Sequence, residues 1–191
     1  MSQGKKVIVI GGTGATGRQL IKHLLVNDEW VQITSIGRRP VLDGKKNDKL
    51  QDIVIESLHD LSSTEKLWKG HDVFFNCIGT TRKRAGSAEK FIEIEVGFSM
   101  EAARLASKAR IPQACLISAS GANHKQWARN WIHPLLYIRT MGQKEQTIIK
   151  NKFSRVSIFR PGMLIRLVKN QTFIESIMGR HGFGLRVDDL A

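Results

Sequence analysis

One tyrosine, Tyr137, is all that this chain of 191 residues contains. Long apolar runs are missing too. None approaches the roughly 18 residues needed to cross a bilayer, so no transmembrane segment is expected. The two cysteines, Cys77 and Cys115, lie in strand-like apolar runs, VFFNC and ACLIS. Buried reduced thiols are expected there, and a disulfide framework is not. The first strand-like run begins near Lys6, which leaves no space for a cleavable targeting peptide ahead of it. An intracellular, cytoplasmic protein is the expectation. The six histidines are dispersed without ligand spacing, so no metal is expected. No Gly-x-Ser-x-Gly nucleophile elbow occurs.

Positive charge is what the chain has in excess. Thirty Lys and Arg against seventeen Asp and Glu give a net charge of +13. That balance favours anionic partners: a phosphorylated cofactor, nucleic acid, an acidic protein face or anionic lipid. The charges are scattered in pairs and triplets, such as Arg38-Arg39 and Arg82-Lys83-Arg84. With no long basic tail, an ordinary solvated surface is an equally good account.

Short β-branched runs alternate with longer amphipathic ones. Strands are expected at 6–10, 31–37, 52–57, 72–79, 113–118 and 155–160. Between them, 16–27 places Leu20, Ile21, Leu24 and Leu25 on one helical face, and 88–110 places Phe91, Ile94, Phe98, Ala102 and Leu105 on another. A further helix is expected over Leu135–Ile149. This alternation predicts one α/β domain over 1–191, a doubly wound parallel sheet of the Rossmann kind. After Arg160-Pro161-Gly162 the regularity fades. Residues 162–191 are expected to form a short, truncated-looking substrate-side segment, with a helix near 173–178 and a strand within GFGLRVDDLA.

GGTGATG (11–17) follows a strand and opens a helix. It can be framed as G-x-x-G-x-x-G from Gly11 or as G-x-G-x-x-G from Gly12, and both frames share Gly14 and Gly17. Such a turn, free of Cβ atoms, lets backbone N–H groups and a helix N-terminus approach a pyrophosphate. About twenty residues on, where NAD-binding domains place an acid on the ribose 2′-hydroxyl, the chain reads IGRRP. Arg38 and Arg39 suit a 2′-phosphate, so NADP(H) is preferred over NAD(H). Glu56 and Ser57, after the third strand, are weaker candidates for the adenine edge.

In order along nearly the whole chain stand GGTGATG, IGRRP, GHDVFFNCIGTTRKRAG, LISASGA, YIRTMGQKE and FRPGML. Together they resemble the atypical short-chain dehydrogenase/reductases of the oxidoreductase-like Tat-interacting-protein family. CIGTTRKRAG is the most specific of these segments, FRPGML the next and the glycine loop the least. The resemblance implies Gly11, Thr13, Gly14, Ala15, Thr16 and Gly17 around the pyrophosphate, and Arg38 with Arg39 at the 2′-phosphate. It implies Cys77, Ile78, Gly79 and Thr80 beside adenine and ribose. Ser118 and Ser120 would lie near the nicotinamide, and Arg160, Pro161 and Gly162 beneath it. Tyr137 aligns with the family's catalytic tyrosine.

The family's Tyr-x-x-x-Lys needs lysine at position 141, and the chain has Met141. A methionine can neither lower the phenol's pKa nor hydrogen-bond a ribose as an ammonium does. Arg139 falls roughly on the opposite helix face, and Lys144 on the same face but two turns on, about 10 Å along the axis. His124 and Lys125, in the preceding loop, are further substitutes. Ser118 and Ser120 could orient a carbonyl or simply end a strand. GANHKQWARNWIHP, longer than the family's usual connection, sets Trp127 and Trp131 one turn apart if helical. They would anchor a partner or, the expected arrangement, pack back on their own domain.

Three functions remain in view. The first is an NADP(H)-binding protein with an incomplete catalytic pair, acting as a regulator or as an accessory subunit beside a protein partner. The second is an NADPH-dependent oxidoreductase that reduces a carbonyl through Tyr137. The third is an RNA or ribonucleoprotein binder, for which no recognised motif speaks.

Overall fold

The computed structural model describes residues 4–162 and the short strands at 164–165 and 185–186. The remaining stretch of 162–191, with the helix expected near 173–178, lies outside the described residues.

The chain begins with β1 (Lys5–Ile10), α1 (Ala15–Val26), β2 (Trp30–Gly37), β3 (Leu50–Val54) and β4 (Val73–Asn76). After β4 come α2 (Arg82–Ala85), α3 (Ala88–Ile92), a π-helical turn (Glu93–Gly97) and α4 (Phe98–Lys108). β5 (Gln113–Ile117), α5 (His133–Ile149) and β6 (Arg155–Phe159) complete the main body. Six strands form one sheet in the order β3-β2-β1-β4-β5-β6, every pairing parallel. This is the doubly wound α/β arrangement that the sequence predicts. β7 (Leu164–Ile165) and β8 (Leu185–Arg186) pair with each other in parallel.

Period-two alternation in β1 explains the layers. Val7 and Val9 turn to the α1 side, where they meet Leu20, Ile21 and Leu24. Ile8 and Ile10 turn to the other side, against Trp68, Phe98, Ala102 and Leu105. All four strand residues are fully buried, each contributing on the order of 1.5–3 kcal/mol of apolar burial. Because β1 sits between β2 and β4, the strand order reverses there, and the loops after β1 and β4 open side by side.

Three expectations need correction. The strand expected over 72–79 stops at Asn76, because Cys77–Thr80 leaves the sheet to wall the opening. The helix expected over 88–110 is interrupted by the π turn, where the Phe98 N–H reaches back to the Glu93 carbonyl. The extra residue in that turn swings Glu95 inward, to 2% exposure. The loop before α5 is irregular rather than helical, and Trp127 and Trp131 are 61% and 74% exposed instead of packed back. The loop is held across α5 by other contacts. Asn123 N–H donates to the Ile138 carbonyl at 3.1 Å, and Arg139 Nη1 to the Ala128 carbonyl at 2.7 Å. Gly142 admits the loop backbone where a Cβ would lie 2.1 Å from the His124 nitrogen.

Candidate functional site

A cleft of about 670 Å³ opens at the strand-order reversal. One side is the glycine loop: Gly11, Thr13, Gly14 and Ala15, with Gly12 between them. Gly11 takes φ +80°, and a Cβ on it would stand 2.4 Å from the Cys77 carbonyl carbon. Gly17 is buried below, where a Cβ would meet the Gly11 carbonyl oxygen at 2.3 Å. Backbone therefore rests directly on backbone. Gly14, the N-cap of α1, makes no side-chain capping bond, and the first turn carries no acid. That leaves the positive end of a twelve-residue helix facing the cleft.

Arg38 and Arg39, both exposed, stand on the rim after β2, and Arg84 of α2 adds a third guanidinium. Ser35 lines the cleft with its Oγ buried and unbonded among the described residues. Cys77, Ile78, Gly79 and Thr80 form the opposite wall. The cradle closed by Gly11 and the uncapped helix end fit a dinucleotide pyrophosphate, and the arginine rim keeps the opening positive. When bound, a nicotinamide dinucleotide supplies hydride chemistry.

Thr16, Gly17, Ser118, Ser120, Arg160, Pro161, Gly162 and Tyr137 are not on this lining. Glu56 and Ser57 are not either; Leu58 is the residue of that stretch that reaches it. Thr16 lies in the first turn of α1. Ser120 N–H donates to the Pro161 carbonyl at 2.8 Å, which joins the loops after β5 and β6. Ser118 is buried, and its hydroxyl donates to Glu145 Oε1 at 2.6 Å. Arg160 donates to both oxygens of the same carboxylate, at 2.8 and 2.6 Å. Burial alone would raise the Glu145 pKa. The Arg160 fork, the Ser118 hydroxyl and the charges of Arg160 and His124 outweigh it and hold the carboxyl below its usual range.

Tyr137 borders a separate apolar slot of about 320 Å³ with Phe91, Leu136 and Pro134, and Thr80 lines both slot and cleft. Its ring stacks on Phe91 with centroids 6.2 Å apart. Tyr137 is still 40% exposed, but desolvation of its enclosed part, and after it the Glu95 carboxylate, push the phenol above its ordinary value of 10. That is opposite to what an acid catalyst at neutral pH needs. Met141 is 3% exposed and packs with Phe91, Leu136 and Ala119.

Lys144, the substitute on the same face, is turned elsewhere. Its Nζ donates to the Ile78 carbonyl at 2.5 Å and to Glu95 Oε2 at 3.0 Å, with both side chains 2% exposed. Glu95 Oε1 accepts the Thr80 N–H at 2.6 Å. Sequence reasoning passed over Glu95. The signal was an acid beside the apolar stripe Phe91, Ile94 and Phe98, at helical spacing. Cys77, on the cleft wall, has its thiol pushed up to about 12 by burial, which the positive charge of Lys144 only partly opposes.

Fold and cleft together define a nicotinamide-dinucleotide-binding α/β protein. A family described as NAD(P)H-binding matches residues 11–177. Protein HTATIP2 of Rattus norvegicus is 32% identical over 165 residues, covering 85% of this chain and 64% of its own. Protein FMP52-1, mitochondrial, of Scheffersomyces stipitis is 36% identical over 159 residues, covering 82% and 66%. Protein FMP52, mitochondrial, of Debaryomyces hansenii is 34% identical over 176 residues, covering 91% and 74%. The chain thus spans about two thirds of the length of these relatives. Among solved structures, the oxidoreductase ylbE of Lactococcus lactis superposes with a TM-score of 0.64 at 20% identity, covering 83% of this chain and 69% of that one. The enzyme WbmH of Bordetella bronchiseptica, in complex with NAD+, reaches 0.70 at 14%, covering 98% and 70%. Both share the fold. The chain belongs to the NAD(P)H-binding family, with Protein HTATIP2 and the FMP52 proteins among its relatives.

Among the described residues no helix is long and apolar enough to cross a membrane. None of their His, Cys, Asp and Glu side chains gather in a group of three or more that could hold a metal ion.

Proposed function

We propose that this protein binds NADP(H) and acts through that binding, as a cofactor-responsive regulator or accessory subunit with little or no turnover. One observation carries the reading: the position one turn beyond Tyr137 is the buried apolar Met141, and the nearest lysine on that face, Lys144, is held by Glu95 and Ile78. No ammonium among these residues is directed at the phenol. Arg38 and Arg39 on the cleft rim support NADP(H) over NAD(H). In the binding role Gly11, Thr13, Gly14 and Ala15 hold the pyrophosphate, Arg38 and Arg39 the 2′-phosphate, and Cys77 to Thr80 the adenosine side. Thr16 and Gly17 shape the helix start. Ser118, Ser120, Arg160, Pro161 and Gly162 support the loops beyond β5 and β6.

Exposed Trp127 and Trp131, with Lys125 and Arg129 beside them, offer an apolar, cationic face that suits a protein partner. The free thiols Cys77 and Cys115 fit a reducing cytoplasm. Because the FMP52 relatives are named mitochondrial, fractionation of cytosol against mitochondria decides the location.

Thermal melts with NADPH and NADH, on the protein and on Arg38→Ala, test the cofactor reading. Ligand at a hundred times Kd adds about 2.7 kcal/mol, on the order of 5–10 °C. A shift with NADPH that weakens in Arg38→Ala is expected; no shift with either nucleotide in folded protein sinks the proposal. A second reading, carbonyl reduction through Tyr137, draws on the slot that shares Thr80 with the cleft. NADPH oxidation on a carbonyl panel that disappears in Tyr137→Phe would establish it.

A further inference from the structure

The stretch Cys77–Thr80 walls the dinucleotide cleft, reaches the Tyr137 slot at Thr80, and lies beyond the end of β4. Four of its polar backbone groups are held by named partners. Cys77 N–H donates to the Ile10 carbonyl at 2.9 Å, and Ile78 N–H to Asn76 Oδ1 at 3.1 Å. The Ile78 carbonyl accepts Lys144 Nζ at 2.5 Å, and Thr80 N–H donates to Glu95 Oε1 at 2.6 Å. The last two holders come from different helical segments and meet each other at 3.0 Å behind the wall. In front of the wall, Gly11 packs on the Cys77 backbone with no room for a Cβ. The gap that a dinucleotide enters is therefore set by where the wall stands.

We infer that Glu95 and Lys144 are positioning residues for the dinucleotide. Their ion pair clamps the wall at Ile78 and Thr80, and so sets the affinity of the cleft for NADP(H). This rests on the cofactor reading above and assigns to the Tyr137 helix a part in binding. A buried ion pair is an inefficient source of stability, because desolvation offsets most of the attraction. Two apolar side chains would fill the space as well. They would not hold a carbonyl oxygen and an amide N–H of the same loop together. The lysine on this helix has its charge applied to the wall instead of the phenol.

Titration calorimetry with NADPH on the full chain tests the clamp, using Lys144→Met, Lys144→Arg, Glu95→Gln and, as control, the exposed Lys150→Met at the end of α5. Kd should rise roughly tenfold in Lys144→Met and Glu95→Gln, as expected for losing a charge-assisted hydrogen bond. It should recover in part in Lys144→Arg and stay unchanged in the control. Amide exchange at Thr80, followed without ligand, should quicken in Lys144→Met. A pair that serves stability alone would lower Tm, yet leave Kd and Thr80 exchange unmoved well below the melt. That result overturns the inference. If Lys144→Met does not fold, Glu95→Gln decides by Kd, since it retains the side-chain volume and an acceptor for Thr80. No NADPH uptake by the unaltered protein would overturn the cofactor reading itself, whereas tight uptake with the same Kd in folded variants overturns only the clamp.

Discussion

Arg160 places Nε and Nη2 on the two carboxylate oxygens of Glu145, and the Ser118 hydroxyl completes the set. Three segments meet at that carboxylate: the end of β5, the middle of α5 and the start of the loop after β6. The Glu145 side chain is 4% exposed, so its charge depends on those donors.

Stability should therefore decline in acid in two stages. His71 is buried, with Nδ1 3.2 Å from the Trp68 carbonyl and Nε2 2.9 Å from Thr34 Oγ1. Burial lowers its pKa below the ordinary 6.5. A depressed histidine favours the fold above its unfolded pKa, and that contribution is lost as pH falls through the folded value. Glu145, also depressed, acts the same way lower down: its contribution is present above the unfolded pKa near 4.5 and lost as pH falls through the lowered folded value. Tm measured from neutrality to pH about 4 should fall first below about 6.5 and again below about 4.5. His71→Asn should flatten the first stage and Glu145→Gln the second. A Tm independent of pH over that span would contradict both assignments.

Gly11→Ala should be among the most damaging single methyl additions. It forces a side chain into positive φ and drives a Cβ against the Cys77 backbone at 2.4 Å. A loss of about 2–4 kcal/mol is expected in urea unfolding. Gly121→Ala also sits at positive φ, but with nothing within 4 Å, and should cost less. Equal losses would mean that conformational strain alone, without the clash, accounts for Gly11.

The solitary tyrosine permits a direct titration. Its phenolate absorbance should appear above pH 10, because burial and Glu95 raise the pKa. Met141→Lys should lower that midpoint while also lowering Tm, since a charge would enter the apolar cluster around Phe91 and Leu136. If the lost lysine is the whole defect, NADPH turnover on carbonyls rises in Met141→Lys and disappears on adding Tyr137→Phe. A lowered midpoint without turnover would show that more than the phenol's acidity is missing.

Alkylation kinetics should separate Cys77 from an ordinary surface thiol. With its pKa pushed up to about 12, its thiolate at pH 8 is scarcer than that of a free cysteine by about a thousandfold. Iodoacetamide should modify the native protein slowly at Cys77, and bound NADPH should slow it further. Rapid modification of Cys77 in folded protein would contradict the burial that raises it.

Parallel pairing, the doubly wound main sheet and the glycine turn were legible because each rests on local pattern: β-branched runs, helical stripes and a glycine cluster between them. Arg38 and Arg39 could be placed on the rim because they immediately follow β2. The clamp was not legible. Glu95 and Lys144 stand 49 positions apart, and only the folded chain pairs them. The π turn was hidden for a related reason, since 88–110 carries an unbroken helical stripe and gives no local sign of an inserted residue. Trp127 and Trp131 failed differently. Large aromatics ordinarily pack inward, but Gly142, Arg139 and Asn123 draw the loop across α5 by its backbone and leave both rings outside.

The central place of β1 bears on how the sheet is assembled. Made before the other five strands of the sheet, it later has β2 on one edge and β4 on the other, and every subsequent strand adds to a border already laid down. The sheet can grow outward in the order of synthesis, without any strand being threaded between two others. Both loops of the cleft have been made by residue 80, whereas Lys144 emerges from the ribosome 64 residues later. The nascent chain thus owns the outline of its binding cleft well before the side chain that braces it.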